Sequence, residues 1–229
     1  MKLPVLLCIL LTVAALATQA ADTSIAAPKP ADNSTNEPVE AKDPGPDFTN
    51  SVYMELVKVP GDFWAGKYEV TQDQYEKVTG SNPSAFQGTN RPVDSVTWFD
   101  AMSFCKQMTA LDLKKKRIPE GYHYTLPTED EWTNLVADAS LDQAVASLTD
   151  RRTSSSPVGS LAPNSLGLYD IRGNVMEFVL SDESQPYRFL KGGSWADYVD
   201  INLRPEFRWY CRPDEATNTF GFRCLLKAK

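Results

Sequence analysis

The chain is poor in histidine, with 1 residue in 229, and it contains only 4 cysteines. A conventional zinc or non-haem iron centre needs several His, Cys or carboxylate ligands, and His123 has no His or Cys near it in the sequence. Basic residues are also in the minority, because 23 Lys and Arg stand against 30 Asp and Glu, with no basic stripe. This composition excludes nucleic acid as a partner, since such binding depends on neutralising phosphates.

The long apolar run in the chain lies at its start. Lys2 precedes LPVLLCILLTVAALA and the small residues TQA, which predicts a signal peptide over residues 1–20. A membrane anchor is the alternative, but a span needs about 20 apolar residues and this run is shorter. We therefore expect an extracytoplasmic protein, periplasmic, on the cell surface or secreted, with no stable membrane span after signal cleavage.

A change of composition marks the domain boundary. Residues 21–50 contain five prolines and several acids but few large apolar side chains, which predicts a disordered linker. The remaining residues, 51–229, are enough for one substantial core and leave little room for a second domain.

Local patterns predict a mixture of helices and short strands. The alternation in YMELVKV from Tyr53 predicts a first strand, and residues 67–70 a second. Thr71, Thr97 and Thr128 each begin a helix, two of them through a Thr-x-x-Gln or Thr-x-x-Glu capping box. The last third consists of short apolar pieces broken by Gly, Asn and Asp, so the fold class is α+β.

Six distinctive segments follow one another along the chain: GKYEVTQDQY (66–75), RPVDSVTWFDAMSFC (91–105), YTLPTEDEWTNLV (124–136), GLYDIRGNVMEF (167–178), FLKGGSW (189–195) and FGFRC (220–224). In order and spacing they resemble the formylglycine-generating enzyme family, also called sulfatase-modifying factors. The resemblance covers roughly residues 52–227. It implies the C-type-lectin-like fold of that family, with short strands, few helices and much irregular loop.

The same resemblance bears directly on catalysis. Active members carry two copper-binding cysteines after the Gly-Gly-Ser-aromatic motif, and the corresponding residues here are Asp197 and Asn202. Cu(I) prefers soft thiolates over the hard oxygens of Asp and Asn, so copper is not expected. The thiol nearest in sequence is Cys211, which is reactive only if it is exposed beside Arg208 and Arg212.

Two stabilising features also follow from the resemblance. The loop from Asp170 to Glu177 could simply be a turn, but the family pattern implies calcium bound by Asp170 and Glu177 and by the carbonyls of Gly173 and Val175. For the three cysteines outside the signal peptide, the sequence allows several pairings or three thiols. The resemblance implies a disulfide between Cys105 and Cys224.

The resemblance places Ser194 and Trp195 in a groove, and we add Arg208 as a third candidate. Further arginines alternate with aromatic residues nearby, which fits either a peptide-binding groove or internal ion pairs. We predict a non-catalytic, calcium-braced binding or scaffolding module for a protein or peptide ligand. The alternatives are a formylglycine-generating oxidase acting on cysteine in sulfatase-type proteins, and a purely structural envelope protein.

Overall fold

A computed structural model describes Gly45 and residues 47–229. The signal peptide expected at 1–20 and most of the linker expected at 21–50 lie outside these residues. The ordered domain begins before residue 51, because Asp47–Thr49 forms strand β1 and Phe48 packs against the core. One apolar side chain in an otherwise polar segment is enough to extend the sheet by this strand.

A five-stranded sheet forms one side of the domain. Its strands are β1, β2 (Glu55–Val59), β3 (Phe63–Gly66), β4 (Tyr122–Thr125) and the C-terminal β9 (Leu225–Ala228). Their order is β1-β2-β3-β9-β4, with every neighbouring pair antiparallel. The C-terminal strand therefore lies between two early strands and ties the ends of the domain together.

The second sheet carries the family motifs. It contains β5 (Met176–Phe178), β6 (Arg188–Lys191), β7 (Trp209–Cys211) and β8 (Phe220–Gly221) in the order β7-β6-β5-β8. Strands β5 and β8 are parallel, whereas the other pairs are antiparallel. Strand β7 lies at the edge of the sheet, and long irregular loops join these short strands.

Four α-helices lie in the described part of the domain, and the first three begin where the capping residues predict. They are α1 (Gln72–Thr79), α2 (Trp98–Lys114), α3 (Glu129–Val136) and the short α4 (Ser147–Asp150). Side chains of Thr71, Thr97 and Thr128 accept from the backbone N–H three residues ahead, and each pair completes a capping box. Gly80 ends α1 in the left-handed conformation that glycine adopts without strain.

The predicted second strand at residues 67–70 is wrong. The sheet strand is β3, Phe63–Gly66, and the chain then turns out of the sheet. The reason is Glu69, whose buried carboxylate accepts from the backbone N–H of Val175 and from Asn174 Nδ2. These bonds to a distant loop fix the backbone of 67–70 outside the sheet, and local alternation cannot reveal them.

The core divides into clusters around the two sheets. Helix α2 buries Trp98, Ala101, Cys105 and Met108 at helical spacing in the larger cluster. Trp132 of α3 lies at the centre of the second cluster, and its indole is fully buried. No helix in the described part of the chain combines the length and the apolarity that crossing a membrane requires.

Candidate functional site

The Gly-Gly-Ser-Trp segment forms a tight turn after strand β6. Gly192 and Gly193 have φ angles of 91° and 70°, and a Cβ on Gly193 would lie 2.7 Å from Leu203 Cδ2. Only glycine fits two consecutive positions of this kind. The turn leaves Ser194 buried, while the indole Nε1 of Trp195 donates to the carbonyl of Asn218 and its ring meets Phe86 edge-on.

Asp197 and Asn202, the residues that the resemblance sets against the family's cysteine pair, bond to each other. Asp197 Oδ1 accepts from Asn202 Nδ2 at 2.6 Å, while Oδ2 accepts from the backbone N–H of Ser194 at 2.7 Å and from its hydroxyl at 2.9 Å. The carboxylate is buried, so these three donors replace water around it. The arrangement braces a turn and supplies neither a thiolate nor an unpaired base.

Cys211 does not replace the missing pair. Its side chain is buried on β7, and burial, reinforced by the negative charge of Glu215, raises the pKa of its thiol to about 12. A thiol is nucleophilic only as the thiolate, so Cys211 is inert near neutral pH. Its neighbours Arg208 and Arg212 do not activate it, because their guanidinium groups pair with Glu129 and Asp214.

A buried ion pair lies between the DIRGNVMEF and FGFRC motifs. Arg223 Nη2 donates to Glu177 Oε1 at 2.7 Å, and both side chains are almost completely buried. Arg223 also donates to the carbonyls of Gly66 and Tyr169 at 2.8 Å each. The guanidinium therefore joins strand β5 to two segments outside its sheet.

Two further carboxylates lie close to this pair. Burial, together with the charges of Asp170 and Glu177, raises the pKa of Glu69 well above its usual range. Burial also raises the pKa of Asp170 to about 6. One guanidinium thus lies among three buried carboxyl groups, and the pKa values of two of them, Glu69 and Asp170, are raised by burial and by neighbouring negative charge.

The expected calcium ligands are only partly free to bind an ion. Asp170 Oδ1 is buried without a hydrogen-bond partner among the described residues, as an open ligand position would be. Glu177, however, accepts from Trp132 Nε1 and from Arg223, whose positive charge opposes a cation there. In the part of the chain that the structure describes, no group of three or more His, Cys, Asp or Glu is arranged for a metal. The residues therefore fit Ca²⁺ at Asp170 but not at Glu177, and the calcium site stays a prediction.

The structure brings together Cys105 of α2 and Cys224 beside β9. Their sulfur atoms lie 3.5 Å apart in the core, as two thiols without a covalent bond. Burial, with the neighbouring Cys105 thiol, raises the pKa of Cys224 well above its usual value. The two residues are neighbours, and the disulfide that the resemblance implies remains a prediction.

Arg208, the third groove candidate, contacts a different set of residues from Ser194 and Trp195. It donates to Glu129 Oε1 of α3 at 3.0 Å, and its guanidinium lies 4.3 Å from the ring centroid of Phe189. Arg204 and Arg212 pair with Asp200 and Asp214 at the surface. The sequence allowed either a peptide-binding groove or ion pairs for these arginines, and the contacts that they make are ion pairs.

A comparison with protein families identifies the fold. The Sulfatase-modifying factor enzyme 1-like domain matches residues 35–145 and 134–228. The chain belongs to this sulfatase-modifying factor family. The solved structure of PvdO from Pseudomonas aeruginosa superposes with a TM-score of 0.64 at 22% identity, over 82% of this chain and 100% of that one. The expected C-type-lectin-like α+β fold is confirmed.

Relatives of this sulfatase-modifying factor domain include proteins named for roles other than oxidation. A protein named chaperone protein LppX, from Paenibacillus barcinonensis, is 30% identical over 66% of this chain and 76% of its own length. The mouse protein named inactive C-alpha-formylglycine-generating enzyme 2 is 31% identical over 60% of this chain. The match spans about half, 49%, of that mouse protein.

Sequence patterns did not reveal the partner of Arg223 or the burial of Glu69. Arg223 belongs to the arginines for which the sequence allows either a peptide groove or internal ion pairs, and its buried partner Glu177 lies 46 residues away. The available signal was the block FGFRC, in which Arg223 lies between the buried residues Phe222 and Cys224. A charged residue flanked on both sides by core residues predicts a buried partner of opposite charge.

Proposed function

We propose that this chain is a non-catalytic module that binds extended polypeptide segments. The observation that carries the proposal is Asp197, a position to which the family resemblance assigns a reactive cysteine, where the carboxylate instead accepts three hydrogen bonds. The relatives named as a chaperone and as an inactive enzyme support the same conclusion. Function follows from a site and not from a fold, so family membership alone does not make this chain an oxidase.

The edge strand β7 supplies a suitable surface for a polypeptide. The backbone polar groups of Phe189 in β6 point towards the β5 side of the sheet. Its carbonyl accepts from Val179 N, and its N–H donates to Ser181 Oγ. Tyr210 lies directly opposite Phe189 in an antiparallel pair. Phe189 and Tyr210 therefore form a non-hydrogen-bonded pair, in which the N–H and C=O groups of the two residues point away from each other. The N–H and C=O of Tyr210 face outward from the edge of the sheet. An edge of this kind can accept an added strand.

Aromatic side chains surround this edge. Tyr210 is 63% exposed, Tyr187 is 47% exposed and Trp209 is 45% exposed. The rings of Tyr187 and Tyr210 meet edge-to-face with centroids 5.4 Å apart. Exposed aromatic rings provide apolar contact area at low cost in side-chain entropy, which favours peptide recognition. An extended segment with alternating apolar residues would match both the backbone groups and these rings.

A binding assay with a matched control tests this proposal. Fluorescently labelled, reduced and carboxymethylated lactalbumin serves as a permanently unfolded probe, and its anisotropy is measured with the mature chain. Tyr210→Ala should weaken binding several-fold, whereas Tyr53→Gly, at another exposed tyrosine, should leave it unchanged. Equal binding by both variants, or no binding by the wild type, would contradict the proposal.

A second assay addresses the enzymatic alternative. The mature chain is loaded with Cu(I) under oxygen and incubated with a peptide containing Cys-x-Pro-x-Arg, and the product is analysed by mass spectrometry. We expect no conversion of the cysteine to an aldehyde. Conversion would show that this chain is an oxidase despite the bonds of Asp197. Calcium is tested on the same preparation, since an ion that binds the folded state must raise its thermal midpoint over an EDTA-treated control.

A further inference from the structure

A cleft beside β2 and α1 shares no lining residue with the Ser194 turn or the β7 edge. Its volume is about 410 Å³, within the range of about 300–1,000 Å³ found for small-molecule sites. Val52 and Val158 supply the apolar part of its lining. Two tyrosines, two carboxylates, two amides and two threonine hydroxyls supply the rest: Tyr53, Tyr68, Glu55, Asp73, Gln74, Asn90, Thr71 and Thr89.

Tyr53, in the wall of this cleft, has a strained backbone and an exposed ring. Its φ angle is 64°, in the left-handed region that bulky residues avoid, and its side chain is 75% exposed. Neither apolar burial nor backbone preference explains a tyrosine here. Strained residues persist where the surrounding structure enforces them, and they are concentrated at functional sites.

A buried polar network enforces the conformation of Tyr53. Asn50 Oδ1 accepts from the backbone N–H groups of Val52 and Met54, and the N–H of Tyr53 donates to the Asn50 carbonyl. Asp112 of α2 holds the same turn by accepting from the backbone N–H of Ser51. The ring is therefore presented at the cleft by a rigid turn, which lowers the entropy that a ligand contact must overcome.

The charges around the cleft are balanced. Glu55 pairs with Lys67 at 2.9 Å, and Asp73 pairs with Lys77 at 2.6 Å. The hydrogen bond to Glu55 raises the pKa of Lys67, so this lysine stays charged at neutral pH. Two carboxylates and two ammonium groups leave no net charge, which disfavours a strongly ionic ligand and favours a neutral one with many hydroxyl groups.

From these observations we propose that the cleft binds a neutral, hydroxylated ring, that is, a saccharide unit. Carboxylate oxygens of Glu55 and Asp73 accept hydrogen bonds from ring hydroxyls, and the Asn90 amide both donates and accepts. Lys77 Nζ lies 5.1 Å from the centroid of the exposed Tyr53 ring, which leaves the other face of that ring for the C–H face of a sugar, whereas the Tyr68 ring packs against Tyr169. This combination of hydroxyl-directed polar groups and aromatic faces distinguishes the cleft from a purely apolar pocket.

Saccharide titration of the mature chain tests the proposal. Trisaccharides of glucose, galactose, mannose and N-acetylglucosamine are screened by saturation-transfer NMR, and those that bind are measured by calorimetry. We expect at least one to bind with a Kd of about 1 mM or tighter. Tyr53→Gly should weaken it about tenfold, because it removes the ring face. The same change should not lower the thermal midpoint, since glycine tolerates the positive φ.

Two further variants make the result decisive. Asn90→Ala removes an amide that has no packing role in the core and should weaken the same saccharide several-fold, whereas Tyr210→Ala at the β7 edge should not. The absence of binding by every trisaccharide would overturn the proposal, as would binding that neither Tyr53→Gly nor Asn90→Ala affects. Tyr53→Gly should weaken saccharide binding but not polypeptide binding, and Tyr210→Ala should do the reverse. The saccharide proposal and the polypeptide proposal can therefore be refuted independently of each other.

Discussion

Replacing Arg223 by methionine should cost a large part of the stability of the domain. The side chain is completely buried, and its loss removes the charged partner of Glu177, which retains the Trp132 Nε1 donor, and the donor to the carbonyls of Gly66 and Tyr169. Removing one member of a buried ion pair costs about 3–5 kcal/mol, because the other charge stays buried without a partner. Domains have a total unfolding free energy of about 5–15 kcal/mol, so Arg223→Met should be severely destabilised.

Urea denaturation followed by tryptophan fluorescence measures this effect. For a domain of about 150–250 residues, a loss of about 3–5 kcal/mol lowers the thermal midpoint by roughly 6–20 °C. Arg212→Met is the matched control, because Arg212 is an exposed arginine paired with Asp214, and its unfolding curve should be unchanged. An Arg223→Met protein within about 1 kcal/mol of the wild type would refute the reasoning.

A double-variant cycle separates the charge from the packing. Glu177→Gln retains an oxygen for Trp132 Nε1 but removes the negative charge that Arg223 balances. Adding Glu177→Gln to Arg223→Met should therefore restore part of the lost stability, although Glu177→Gln alone destabilises the wild type. Strictly additive effects of the two substitutions would mean that Glu177 and Arg223 are not coupled.

Two other predictions concern pH and the thiols. Burial alone would raise the pKa of Glu131, but hydrogen bonds from Lys227 and Thr128 outweigh burial and hold the pKa below 4.5. The ionised carboxylate therefore stabilises the folded state above that pH, and this stabilisation is lost as the pH falls through the lowered pKa. Glu131→Gln should therefore be less stable than the wild type at neutral pH, and the difference should disappear in acid; a difference independent of pH would contradict this. The air-oxidised protein is alkylated in denaturant and analysed by mass spectrometry. We expect a disulfide between Cys105 and Cys224 and an alkylated Cys211. Alkylation of all three cysteines would mean that the buried pair remains reduced.

The helices could be predicted from the sequence because their signals are local. Thr71, Thr97 and Thr128 each bond to a residue three positions ahead, so a short window contains the donor and the acceptor. Gly80 likewise ends its helix through its own backbone preference. Strand β3 was misplaced because the backbone of 67–70 is fixed by Glu69 contacting Val175, which lies far away in the sequence.

The candidate site was predictable only where the family resemblance reached it. The positions of Asp197 and Asn202 came from the motif, but their mutual hydrogen bond depends on a side-chain arrangement that spacing does not specify. Tyr53 carried no signal at all in the sequence, where it was part of an alternating strand pattern. Its strained conformation depends on a turn held by Asp112 of α2, which is a tertiary contact.

The polar networks around Asp197 and around Arg223 differ in how far along the chain they reach. The Asp197 carboxylate bonds to Ser194 and Asn202, which are three and five residues away, so this side-chain network is confined to one turn. Glu177 and Arg223 are 46 residues apart and join separate parts of the domain. Substitution in the first network alters local chemistry, whereas substitution in the second removes long-range contacts. We therefore expect a substitution at Asp197 or Asn202 to leave the buried pair of Glu177 and Arg223 intact, whereas a substitution in that pair should affect several segments of the domain at once.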